Sequence, residues 1–156
     1  MATLKDTFAS STALTITLAS LASSTAGVGR QSTIVDNTSN AYTAAWLACN
    51  IKCGTSPSSN ALIYIYLIRD DNNGTNIRDD AAGASDAALT VLNAPLIGTL
   101  TTKSSAATGD VLKGVFYVPN LGPKWGIAVV NSTGVNLDST GGNHVINYVG
   151  ETYSIA

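Results

Sequence analysis

The sequence predicts an all-β fold, a jelly-roll-like antiparallel β-sandwich of about eight strands, and three observations carry that expectation. Thr, Val, Ile, Tyr, Phe and Trp number 51, against eleven Glu, Gln, Lys, Arg and Met together. β-Branched and aromatic side chains suit a pleated, half-buried surface, whereas helices favour unbranched ones. Nine Asp stand against a single Glu, and Asp bonds back to its own backbone in turns. Apolar residues also recur with a period of two in short runs punctuated by Gly, Pro, Asn and Ser. Ala, at 21 residues, is the contrary count. Its densest cluster, 81–88, contains Gly83 and lacks a large apolar stripe, so at most a short helical turn is expected there.

Each element follows from local pattern. Leu14, Ile16 and Leu18 alternate with Thr15, Thr17 and Ala19, and the Ser/Ala/Gly stretch 19–29 reads as a loop. A strand at about 30–36 ends in the Asn/Ser cluster 37–40. The segment 42–53 sets Leu47, Cys49, Ile51 and Cys53 on one face and Trp46, Ala48, Asn50 and Lys52 on the other. Gly54 to Asn60 breaks it, Leu62 to Arg69 is a strong strand, and further strands fall at about 96–102, 113–118, 125–131 and 144–150. The polar stretches 70–88 and 103–112 read as loops. The 156 residues divide into an N-terminal arm, 1–12, and one sandwich domain, 13–156. An immunoglobulin-like sandwich is the alternative architecture, but the Cys/Trp/Cys spacing that marks one is missing.

Composition excludes several function classes. Eight Lys/Arg against ten Asp/Glu give a net charge of −2 without clustering, so no basic stripe exists for nucleic acid. The longest uninterrupted apolar run is the eight residues 61–68, too short to cross a bilayer. Met1 to Phe8 shows no basic-then-apolar signal pattern. No membrane partner is expected.

The material for catalysis or metal binding is thin. Cys49 and Cys53 lie four residues apart on one strand, about 13 Å, whereas bridged Cα atoms lie within about 7 Å. They read as reduced thiols pointing into the core, and one His with scattered Asp completes no zinc site. In the acidic cluster 69–80, Asp71, Asn73 and Asp80 would match calcium-loop positions around Gly74, but Arg69 would occupy the first ligand position, where oxygen is required. A glycosidase pair of Asp71 and Asp80 would need a raised acid pKa, which Arg69 and Arg78 oppose. The cluster reads as turns. His144 reads as structural, and no nucleophile elbow or phosphate-cradling loop is present. Asn37, Asn73 and Asn131 begin sequons at about the chance rate for thirteen Asn. No catalytic residue, metal ligand or cofactor is expected. Trp46 and Trp125 are candidate sugar platforms, although a Trp at a strand start, as Trp125 is, reads as a rim residue with its N–H bonded.

The segment Gly122-Pro123-Lys124-Trp125-Gly126-Ile127-Ala128-Val129-Val130-Asn131-Ser132-Thr133-Gly134 resembles part of the small virion proteins of tailed bacteriophages. So do Leu18-Ala19-Ser20-Leu21-Ala22-Ser23-Ser24, Arg30-Gln31-Ser32 with Val35-Asp36-Asn37, and Leu137-Asp138 leading into Val145-Ile146-Asn147-Tyr148. The similarity covers about 14–150. It implies a jelly-roll decoration (cement) protein of the capsid, with the major capsid protein as partner, located in the virion and assembled in the host cytoplasm. A tail or fibre component and a carbohydrate-binding module are the alternatives. No catalytic residues carry over.

The strand 62–69 is apolar on both faces, with Leu62, Tyr64, Tyr66 and Ile68 on one and Ile63, Ile65 and Leu67 on the other. A two-sheet sandwich buries only one of these by its core. The other needs a loop or a neighbouring subunit. A homo-oligomer is therefore expected, with Tyr64, Tyr66, Ile68 and Trp125 as interface candidates, or Ile63, Ile65 and Leu67 if the register is inverted.

Overall fold

The computed structural model describes residues 3–72 and 78–155. Its strands are β1 (Leu4–Phe8), β2 (Thr12–Ala13), β3 (Val28–Gln31), β4 (Val35–Asp36), β5 (Ala44–Lys52), β6 (Leu62–Asp70), β7 (Ala87–Thr90), β8 (Leu96–Thr101), β9 (Val111–Pro119), β10 (Lys124–Ser132) and β11 (Val145–Ile155). The one helical piece among the described residues is a three-residue 3-10 turn, Gly141–Asn143. Every ladder between strands is antiparallel. The first sheet runs β1-β11-β5-β9, with β2 also on β11; the second runs β7-β3-β10-β6-β8, with β4 also on β10. The protein is a β-sandwich.

Alternation decides which side chains meet between the sheets. From the first sheet come Leu47, Cys49, Ile51, Leu112, Val118, Ile146 and Tyr148; from the second, Ile63, Ile65, Leu67, Trp125, Ile127 and Val129. Both thiols are free and buried, Cys49 on β5 and Cys53 just past its end, β-bridged to Leu137. Leu14 and Leu18 are buried and Ile16 packs against the same core, so the alternation of 14–18 is right. The ladder nevertheless ends at Ala13. Beyond it the Leu14 N–H donates to Ile146 of the first sheet, while the Thr15 carbonyl accepts from Thr33 beside the second. The segment crosses between sheets, and burial has period two without a continuous partner.

Other boundaries shift for similar reasons. The stretch 30–36 splits into β3 and β4, and two expected loops or arms hold strands, β7 and β1. The Ala-rich 81–88 forms no helical turn, but bends leading into β7. Strand β11 runs five residues past the expected end, because β1 supplies a partner for 151–155.

Strand β6 has the two apolar faces its sequence shows. Ile63, Ile65 and Leu67 enter the core, and Leu62, Tyr64, Tyr66 and Ile68 face outward. The outward end is covered by the chain itself. Ile68 and Ala128 lie buried with Ala94, against Ile34, Tyr66, Ala81, Leu89 and Val91. Gln31, the sole Gln, fastens this roof: its amide donates to the Gly83 and Ser85 carbonyls (2.8 and 2.6 Å), and its oxygen accepts from the Ala82 N–H (2.6 Å).

Candidate functional site

The interface candidates separate into two groups. Tyr64 and Tyr66 are half-buried on the outer face of the second sheet, their rings stacked with centroids 6.3 Å apart. Ile68 is fully enclosed beneath the roof, so it offers nothing to a neighbouring molecule. Trp125 corrects the rim reading. It has no exposed surface, meets Tyr148 edge-on at 5.0 Å, and its indole N–H has no hydrogen-bond partner among the described residues. The physical reason is pairing on both flanks. Lys124 and Trp125 bond to β4 on one side and β6 on the other, so the strand is already interior there.

The chemistry-bearing residues are used in turns and supports. In the cluster 69–80, Asn73 and Gly74 lie outside the described residues. Asp80 accepts from the backbone N–H groups of Leu92, Asn93 and Ala94 (2.8 and 2.6 Å to the first and last), tying down the far end of the roof. Burial pushes its carboxyl up, but these bonds outweigh it and hold it below the usual range, the reverse of what a glycosidase acid needs. Asp70 is paired with Arg78 at 2.5 Å. Among the described residues no three His, Cys, Asp or Glu come together as a metal site requires. Asn37 and Asn131 are buried, so neither presents its amide for glycosylation.

His144 sits against a cleft of about 650 Å³ lined by Ser20, Lys52, Cys53, Asn136 and Asp138 among others. Its Nδ1 accepts from the Lys52 N–H (3.4 Å), and its Nε2 lies 2.9 Å from the Asp138 carbonyl, to which it donates. Both ring nitrogens are engaged. Asp138 in turn accepts from Asn143 and the Thr140 N–H and pairs with Lys52 at 3.2 Å. These bonds hold its carboxyl far below the ordinary range. The group braces the entry into β11.

The feature that sequence reasoning missed is the outer face of the first sheet. Register places side chains in rows across it. Val149, Trp46 and Tyr117 form one row; Ala13, Asn147, Ala48 and Val115 the next; Val145, Asn50 and Lys113 the third. Toward the chain ends come Phe8 with Glu151, Asp6 with Tyr153, and Leu4 with Ile155. Of the twelve large apolar side chains left exposed among the described residues, nine lie here: Leu4, Phe8, Trp46, Val111, Val115, Tyr117, Val145, Tyr153 and Ile155. Val115 keeps 66% of its surface, Tyr117 46% and Trp46 41%. Monomers rarely expose large continuous apolar patches, whereas scattered apolar residues are ordinary.

Two details shape this face. Trp46 and Tyr117 meet at 5.2 Å with a 55° tilt, and the Trp46 indole donates to the buried Glu151 carboxylate at 3.1 Å. The one acid at the centre is thereby already bonded. Burial raises the Tyr117 hydroxyl, with the charges of Glu151 and Asp6 adding to it, so it stays a neutral donor. Beside the row lies an open apolar depression over Ala48, Asn50, Val115 and Val145, where the Asn50 oxygen has no partner among the described residues. β9 carried the available signal: its outward Val111, Val115 and Tyr117 alternate with apolar Leu112, Phe116 and Val118, as in β6. Compared with protein-family models, characterised proteins and solved structures, the chain shows no significant match to any.

Proposed function

We propose that this chain is a structural protein that works by docking, as a homo-oligomer, on a larger protein shell, with decoration of a phage capsid as its setting. The observation that carries the reading is the exposed apolar face of the first sheet, where nine of the twelve exposed large apolar side chains among the described residues gather. A chain with 12% charged residues keeps such a face soluble poorly unless something specific covers it. Strand winding supports the jelly-roll part of the reading. Setting aside β7, and taking β1 with β2 and β3 with β4 as bent single strands, the chain changes sheet at every step but β6 to β8, and the sheets are ordered 2-11-5-9 and 3-10-6-8. A jelly roll of two Greek keys calls for such a path.

The capsid setting rests on the resemblance of residues 122–134 and its companion segments. Quantifying the protein in purified particles tests it: a copy number tied to the shell lattice supports decoration, a few copies a tail or fibre role, and absence from particles overturns both. Carbohydrate binding is the second reading, favoured by the exposed Trp46–Tyr117 pair. The 55° tilt gives those rings no common plane for a sugar, and a Trp fluorescence change on a glycan panel would decide for it.

A further inference from the structure

We propose that the outer face of the first sheet binds a second copy of this chain, face to face about a two-fold axis. The proposal rests on the structural reading above and names the partner that covers the face first.

The ribbon formed by β1 and the end of β11 shows that something must cover it. Residues 152–155 pair with β1 alone, beyond the last rung to β5 at Glu151. Leu4, Phe8, Tyr153 and Ile155 share one side of this ribbon; Lys5, Thr7, Thr152 and Ser154 share the other, where Thr7 and Ser154 bond at 3.0 Å. A two-stranded ribbon is marginal in water unless its apolar side packs on something, and its own core does not reach that side. The apolar side continues the sheet's outer face.

Area and charge select a second copy. The nine exposed side chains leave roughly 900 Å² open, close to the ~800 Å² each partner contributes to a standard interface. Asp6 and Lys113 make no ion pair among the described residues. Asp6 stands in the row of Tyr153 on β1, and Lys113 in the row of Val145 on β9, at opposite corners of the face. They are eight residues apart along β11, about 27 Å, and three strands apart across the sheet, about 14 Å. A two-fold axis lying in the contact plane, midway between them, sets Asp6 of each copy on Lys113 of the other, satisfying both charges twice. That midpoint falls between Val149 and Trp46. The axis therefore buries the face's largest aromatic at the centre, where contact energy concentrates.

Charge reversal tests the geometry in the intact chain, read by sedimentation velocity. Wild type is expected at twice 15.9 kDa at tens of micromolar. Asp6→Lys and Lys113→Asp should each weaken self-association by about tenfold, and the double reversal should restore it to within about threefold. Val115→Glu should yield a folded monomer, with β-rich circular dichroism unchanged. A wild type monomeric at every concentration, a larger closed ring, or a double reversal no better than the singles overturns the two-fold pairing. A monomer that still enters particles defeats this inference and the homo-oligomer part of the reading, and leaves docking on the shell standing; a dimer absent from particles overturns the shell and leaves the pairing standing.

Discussion

On the second sheet, Ile68, Ala128 and Val130 point away from the core and are nonetheless buried. On the first, Trp46, Val115 and Tyr117 hold the corresponding outward positions and stay exposed. The strands are alike in composition; what differs is the chain beyond them. The segment 78–95 folds back over the second sheet, fastened by Gln31 at 82–85 and by Asp80 at 92–94. No equivalent segment crosses the first sheet among the described residues. The comparison teaches that an apolar outer face can be closed within the chain or left for another molecule, and that outward β-propensity alone does not say which.

Truncation should separate the two faces most sharply. Ile68→Ala empties an enclosed site and should cost about 3 kcal/mol, whereas Val115→Ala should cost under about 0.5 kcal/mol in dilute monomer. Urea unfolding of both measures the contrast, and equal losses would erase it. Next in size is the fastening of the roof. Gln31→Ala leaves the Ala82 N–H and two carbonyls unanswered, and about 2 kcal/mol should be lost. Hydrogen exchange should then quicken in 82–91 and not in β9.

Acid should loosen the same region. Burial raises the carboxyls of Asp70, Asp80 and Asp86, but hydrogen bonds and neighbouring Arg78 and Arg30 bring them below their ordinary value in the fold. Groups with depressed folded pKa values stabilise fully above the unfolded value, near ~3.9, and lose that contribution as pH falls through the lowered values. The melting temperature should therefore be flat from pH 7 to about 5 and fall below about pH 4. A fall centred near neutrality contradicts this assignment. The smallest effect concerns the thiols. Burial pushes Cys49 up to about 12 and raises Cys53 as well. Neither should react with a thiol reagent at pH 8 in the native state, and both should react on unfolding without a reductant.

The inward rows were legible because alternation records burial directly: Leu47, Cys49 and Ile51 face the core as the sequence pattern required. The two-faced character of 62–69 was equally plain. Its covering was not, since β7 is Ala87-Ala88-Leu89-Thr90, too short and too rich in Ala to signal a strand. Trp125 was misplaced because the start of a strand is a rim only when one flank is open, and β4 closes that flank. The exposed face was hidden for a related reason. Its residues come from β1, β5, β9 and β11, and only register brings Trp46 beside Tyr117 or Phe8 beside Glu151. No local window contains that information.

Hydroxyl-radical footprinting compares the two faces in one experiment, since each carries oxidisable aromatics. Dilute monomer and the associated form are labelled side by side, and Trp46, Tyr117 and Tyr153 are read against Tyr64 and Tyr66. The account predicts strong protection of Trp46 and Tyr117 on association, with Tyr64 and Tyr66 unchanged. Protection of Tyr64 and Tyr66 while Trp46 and Tyr117 stay open would contradict it.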